Sequence, residues 1–246
     1  MNRLRNCPGE YLDSARTDSE KLAEHTNNKE KELSQPQKQR QRFAPEVRRR
    51  LILKHAAEII SDEGIAALSM ERIGRQAGVS KSLIYAYFPN LTELLRELLH
   101  LELKNLRVRQ MEASEHAQTF EQLVRTVTHA YLEYIEEHGL LIQRLQAEPS
   151  VAQGRTGPAD FARDASVNTV AEIISSNFDL PMEIAIPATD ISYGLPQFAG
   201  DYLINHDVDK QFIEDLAVTM LIGSIEALQR NFTTRLKPIS QRYQRN

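Results

Sequence analysis

The sequence predicts an all-α chain in two parts: a small N-terminal three-helix unit and a larger helical unit behind it. Three observations carry that expectation. From Pro45 onward, apolar residues recur at three- and four-residue spacing, and alternating strand patterns are too short to matter. Gly and Pro are sparse, at ten each in 246 residues, and Trp is absent. Charge is partitioned along the chain. Residues 38–109 hold 14 Lys/Arg against 8 Asp/Glu, a balance of +6, whereas residues 110–246 hold 10 against 19, a balance of −9.

Residues 1–43 read as a polar tail rich in Gln, Asn, Glu, Lys and Ser, too poor in apolar groups to bury much surface. Disorder is expected there, with weak helix around Ser19 to Leu33. The end of the tail alternates Gln with Lys38, Arg40 and Arg42. Such a basic arm can enter a minor groove or track phosphates; a solvated linker is the plainer alternative. The first helix is expected near Pro45, a residue suited to a first-turn position. Val47, Leu51, Leu53, Ala56, Ala57 and Ile60 are expected on its buried face, and Gly64 stops it. Arg48, Arg49 and Arg50 form a basic cluster near its start, open to phosphate contact or simple solvation.

The stretch Ser69 to Phe88, SMERIGRQAGVSKSLIYAYF, reads as two short helices around a tight turn. Ser69 caps the first, along which Met70, Ile73 and Ala77 make an apolar stripe. Gly78 stands where a helix end favours positive φ. Ser80 caps the second helix, and Val79 and Ile84 flank it at the spacing of a hydrophobic staple. Ile84 and Phe88 face the core, leaving Lys81, Ser82, Tyr85 and Tyr87 on or beside the outer face. Pro89 ends the helix by disfavouring helical geometry at Phe88. A short helix carrying small polar, basic and tyrosine side chains fits a DNA major groove.

These residues resemble a known family. AGVSKSLIYAYF, Ala77 to Phe88, is similar to the core of the TetR family of bacterial transcriptional regulators, and the flanks agree through Ala56, Ala57, Ile60, Gly64 and Leu94-Leu95. The resemblance covers about Val47 to Arg107. It implies a helix-turn-helix DNA-binding domain over residues 44–109, with the motif at 69–88, and a helical effector-binding and dimerisation domain over 110–246. It also implies candidate DNA-binding residues Ser69, Arg72, Ser80, Lys81, Ser82, Leu83, Tyr85, Ala86 and Tyr87. Lys81, Tyr85 and Tyr87 would anchor phosphates; Ser82, Leu83 and Ala86 would lie near base edges, where Leu83 or Ala86 suits a thymine methyl. Two positions depart from the family pattern: Leu91 stands where a phosphate-contacting Lys is common, and Ser82-Leu83 where many members have Gly-Thr.

After Pro89, Asn90 and Glu93 have capping-box spacing, and a leucine-rich helix is expected from about Leu91 to Met111. At ~1.5 Å per residue it forms a rod about 30 Å long. By resemblance this rod links the DNA-binding and ligand-binding parts. Phe120 to Gly139 reads as the next helix, and Leu140 to Ala147 as a short separate one. A loop from Pro149 to Pro158 follows, then a helix from Phe161 to Phe178 ended by Leu180-Pro181. Ile184 to Leu203 contains Pro187 and Pro196, which kink it or split it in two. Val208 to Phe232 is the last long helix.

The last two long segments are the dimerisation candidates. Gly194, Leu195, Phe198 and Tyr202 share one face, Met220 and Gly223 another, and the resemblance implies a four-helix interface with two helices from each subunit. A homodimer also suits a palindromic operator, since one recognition helix reads few base pairs. His129, Tyr131, Tyr134, Phe161, Phe178 and Tyr193 could line an effector cavity, although each alone is as readily a core residue. Glu136, Glu137 and His138 are adjacent but point in different helix directions.

Other classes find little support. The sequence holds no Gly-x-Ser-x-Gly elbow, phosphate-binding loop or Cys-x-x-Cys pair, so no enzyme, catalytic residue, cofactor or metal is expected. Cys7 is the only cysteine, which suits a reducing bacterial cytoplasm. No apolar run reaches the ~18 residues of a membrane span, and the N-terminus lacks the apolar core of a secretory signal. Two functions stand at this level. One is a dimeric regulator, most simply a repressor, that binds double-stranded operator DNA and is released by a small-molecule effector. The other is a helical small-molecule-binding or interaction protein that has lost operator binding, a reading Leu91 favours.

Overall fold

A computed structural model describes residues 44–152 and 158–232, of which 158–165 are described as backbone only. Among these residues all regular structure is helical. The expected tail with its basic arm, and the side chain of Phe161, lie outside the described residues.

The N-terminal head contains α1 (Pro45–Glu63), a 3-10 turn (Ile65–Ala67), α2 (Met70–Gln76) and α3 (Lys81–Tyr87). The long α4 (Leu91–Ser114) leads out of it. The body adds α5 (Phe120–Ala147), α6 (Pro149–Ala152), α7 (Pro158–Phe178), α8 (Met182–Ser192), α9 (Gly194–Asn205) and α10 (Lys210–Asn231).

Local chemistry sets the boundaries. Ser69, Ser80, Asn90, Thr119 and Asp209 each accept a hydrogen bond from the backbone N–H three residues on, at α2, α3, α4, α5 and α10 respectively. Each cap satisfies a first-turn donor that the helix itself leaves unpaired.

Two expectations about boundaries are corrected. Gly139 does not end a helix: α5 runs unbroken for 28 residues, from Phe120 to Ala147. The glycine serves packing instead. A Cβ there would collide with Ile204 Cδ1 on α9 and come within 2.8 Å of Ile135 Cγ2. The stretch from Pro149 is not all loop, because Pro149–Ala152 forms one helical turn. The segment from Ile184 to Leu203 splits at Tyr193. Pro196 explains the site of the break: it has no N–H to offer the Ser192 carbonyl four residues back, and its ring crowds that oxygen. Pro187 lies inside α8 without ending it.

Helix α5 is the axis of the body and packs against α4, α9, α10 and α1. The head core contains Ile52, Ala56, Ile60, Ile73, Ile84, Phe88, Leu94 and Leu98, and it extends into the body through Leu141, Leu145 and Val151. Each fully buried aliphatic side chain contributes roughly 1.5–3 kcal/mol, so this shared core joins head to body. Further along, α4 changes core: Leu106 packs with Tyr134, Ile135 and Ile142 of α5. A separate cluster around Phe120, Ile174, Phe178 and Ile225 joins α5, α7 and α10.

Candidate nucleic-acid interface

The turn between α2 and α3 is closed by backbone geometry. Gly78 has φ +65°, and its N–H donates to Arg75 O while the Val79 N–H donates to Gly74 O at 2.9 Å. This paired capping of the last carbonyls favours glycine at the left-handed position. Ile84 and Phe88, at 0% and 1% exposure, fix the inner side of α3. The outer side presents Lys81, Ser82, Tyr85 and Ala86 to solvent, with Leu83 and Tyr87 half-buried at its edges. This is the polar, cationic and aromatic surface expected from sequence, carried on a helix that the core holds in place.

The structure also shows how those cations are held. Lys81 Nζ donates to Glu71 Oε1 at 2.6 Å. That hydrogen bond and the adjacent charge raise the lysine pKa above its usual value and hold the Glu71 carboxyl below its own. Arg72 does not project outward alone. It forms a two-pronged pair with Glu63, with Nη1 at 3.0 Å from Oε2, and also donates to Ala67 O. Ser69 and Ser80 use their hydroxyls as helix caps, and Ser80 Oγ lies 3.2 Å from Ser82 Oγ. Nothing in the residue spacing marked Glu63 and Glu71 as partners of the expected DNA contacts, because those pairs lie nine and ten residues apart.

The seam between head and body is polar as well as apolar. Arg144 of α5 donates to the carbonyls of Ile60 and Ser61, at 2.9 Å for Ser61, and so caps the C-terminal end of α1. Arg96 of α4 donates to Ser150 O at 2.9 Å. A shallow open groove of about 250 Å³ lies beside this seam, lined by Gly64, Ile65, Arg144, Ala147 and Glu148.

Of the residues expected to line an effector cavity, Tyr131 and Tyr134 share one apolar cluster, whereas Phe178 belongs to another. Tyr134 is buried and donates to the buried Glu102 carboxylate of α4 at 2.6 Å. Its ring stacks on His138, whose Nδ1 lies 3.3 Å from the same carboxylate oxygen. Burial raises the Tyr134 hydroxyl pKa above the usual phenol value, and the Glu102 contact adds to the effect. Tyr131 lies against Gly200 of α9, and burial raises its pKa too. Phe178 meets Phe120 edge to face at 4.9 Å between ring centroids. His129 is exposed and pairs at 2.7 Å with Glu214, which is buried. Tyr193 is half-buried at the α8–α9 break. Glu136 turns to Lys210 of α10 at 2.6 Å, while Glu137 and His138 approach to 3.6 Å. Among the described residues, no group of three or more His, Cys, Asp or Glu could hold a metal ion, and no helix is long and apolar enough to cross a membrane.

An apolar face on the last helices is exposed. Ile191 (81%), Phe198 (74%) and Tyr202 lie on or beside α9, with Phe212 (64%), Leu216 and Met220 on α10. Gly223 lies on the same face of α10, with no atom within 4 Å of where its Cβ would be. Gly194 and Leu195 are half-buried at the start of α9.

Comparison with known proteins agrees with this geometry. Residues 52–98 match the family model for bacterial regulatory proteins of the tetR family. Over 104 residues the chain is 31% identical to YhgD of Bacillus subtilis, an uncharacterised HTH-type transcriptional regulator, covering 42% of this chain and 54% of that one. It is 28% identical over 194 residues to FasR of Mycolicibacterium smegmatis, an HTH-type transcriptional activator, covering 75% of this chain and 85% of the relative. Among solved structures, the TetR-like regulator LfrR of Mycobacterium smegmatis, in complex with proflavine, superposes with a TM-score of 0.54 at 20% identity, over 72% of this chain and 96% of LfrR.

Proposed function

The chain belongs to the TetR family of transcriptional regulators through its DNA-binding head, and from that premise we propose that it is a dimeric, ligand-responsive regulator of operator DNA. The observation that carries the proposal is the exposed face of α3. Its cationic, hydroxyl and tyrosine groups stand on a helix whose other side is anchored by Ile84 and Phe88. Lys81, Tyr85 and Tyr87 would anchor phosphates, and Ser82, Leu83 and Ala86 would approach base edges. Leu91 adds no cation, so Lys81 carries more of the phosphate attraction than in relatives with a lysine there.

Dimerisation through α9 and α10 is supported by the exposed row Phe198, Tyr202, Phe212, Leu216 and Met220. Large apolar side chains gathered on one face favour burial against a second copy. Two copies related by a two-fold axis would present two recognition helices to a palindromic operator.

The effector would act within the body. LfrR, which shares the fold, binds a small molecule, proflavine, in its solved complex. In this chain the Tyr134–Glu102 hydrogen bond joins α5 to α4, the helix that leads into the head. A ligand that draws Tyr134 or Glu102 away from that contact would favour a different tilt of α4 and a head spacing no longer matched to the operator. Repression by occupancy is the simplest regulatory sign. Activation is the second reading, favoured by the 28% identity to an activator over three-quarters of this chain.

The test is selection of bound fragments from the DNA surrounding the protein's own coding sequence, followed by a reporter assay on the selected site. Sequence-selective binding that weakens on Lys81→Ala/Tyr85→Ala substitution supports the proposal, and the direction of the reporter response fixes the sign. Absence of any selective site would leave the interaction-protein reading in its place.

A further inference from the structure

Arg48, Arg49 and Arg50 have equal standing in the sequence as a basic cluster beside DNA, but the structure separates them. Arg49 reaches across the head from the second turn of α1. Its Nε and Nη2 donate to the two carboxylate oxygens of Glu97 on α4. Its Nη1 donates to Tyr87 O at 3.2 Å, and its guanidinium carbon lies 4.6 Å from the centre of the Phe88 ring. One side chain therefore touches α1, the end of the recognition helix and the long helix leading to the body.

Each contact has a physical purpose. Tyr87 is the last residue of α3, and its carbonyl has no partner within the helix. A cation at that end also opposes the negative pole of the helix dipole. Phe88, at 1% exposure, is the anchor that sets the angle at which α3 leaves the core. The planar fork of arginine can hold a carboxylate on one edge, a carbonyl on another and a ring against its face; the point charge of a lysine cannot do all three.

We infer that Arg49 and Glu97 are a positioning pair that fixes the recognition helix against α4, and that Arg49 is not a phosphate contact. The inference rests on the operator-binding reading for its role in recognition, and on geometry alone for the pairing itself. It also assigns Glu97 a role that charge alone would not give it. A carboxylate near DNA repels phosphate, so its neutralisation should strengthen binding if only electrostatics acted.

The test uses the full chain carrying Arg49→Lys, Arg49→Ala or Glu97→Gln, with operator affinity measured across a salt series. Arg49→Lys should lose about tenfold in affinity, the worth of one charge-assisted hydrogen bond, with an unchanged salt slope. Glu97→Gln should weaken binding, against the electrostatic expectation. Retained affinity in Arg49→Lys, tighter binding in Glu97→Gln, or a slope flattened by about 0.9 in Arg49→Ala would make Arg49 a phosphate contact and overturn the inference. Amide hydrogen exchange in the DNA-free protein gives a second readout. Arg49→Lys and Glu97→Gln should speed exchange at residues 84–90 while leaving α10 unchanged; unaltered exchange at 84–90 overturns the pairing. A wild-type chain that selects no DNA fails the operator reading, and exchange then decides the pairing by itself.

Discussion

Lys81 and Glu71 face each other across the helix-turn-helix at 2.6 Å, so the cation proposed to anchor phosphate is already engaged by a carboxylate. Both groups are exposed, and the pair is screened by solvent. DNA bound as proposed would compete with Glu71 for the ammonium. Glu71→Gln should therefore tighten operator binding about two- to fivefold, the scale of an exposed ion pair. Lys81→Ala should weaken binding and flatten the slope of log affinity against log salt by about 0.9. Fluorescence anisotropy on a labelled operator, repeated across salt concentrations, measures both.

The exposed phenylalanines of α9 and α10 should decide the oligomeric state. Phe198→Asp or Phe212→Asp places a charge on the exposed apolar face and should weaken dimerisation about 30-fold or more, as expected for an aromatic anchor of an interface. Sedimentation velocity reports the shift to monomer, and circular dichroism checks that helix content is retained. A dimer that survives both substitutions places the interface elsewhere.

Gly139 should be sensitive to a single added methyl group. Ile204 and Ile135 occupy the space that a Cβ would take. Gly139→Ala should cost about 1–3 kcal/mol by overpacking, despite the better helix propensity of alanine. Ile204→Val, which shortens the opposing side chain, should recover part of the loss. Urea denaturation of the single and double variants measures the coupling.

Tyr134 predicts an alkaline limit to stability. Burial, reinforced by the hydrogen bond to Glu102, raises its pKa from 10.0 in the folded chain. A raised folded-state pKa gives stability that is complete below the unfolded value and lost as pH climbs from about 10 toward the folded value. Tyr134→Phe should flatten this alkaline decline. Near neutral pH it should cost about 1–3 kcal/mol, because the buried carboxylate loses its closest donor. Thermal melts from pH 7 to 11 separate the two effects.

Much of the head was legible in the sequence because its determinants are local. Ser69, Ser80 and Asn90 cap where their side chains lie three residues from a free amide, and Gly78 turns where its positive φ is needed. The body was less legible at Gly139 and at residues 149–152. A glycine within an apolar stripe reads equally as a helix end or as a close crossing, and only the partner helix α9 distinguishes the two. The break at Tyr193 follows from Pro196 once the helical register is known.

By itself, the sequence determined the all-helical class, the helix-turn-helix with its outward polar face, the concentration of basic charge around it and the resemblance of its head to the TetR family. These depend on spacings of a few residues, which a linear chain states directly. Tertiary structure alone decided which ions meet. Lys81 found Glu71, Arg72 found Glu63, Arg49 found Glu97 and Tyr134 found Glu102, over separations from nine to 48 residues. A charged or hydroxyl side chain has many partners of suitable chemistry along the sequence, and selection among them depends on the packing of helices that brings one within reach.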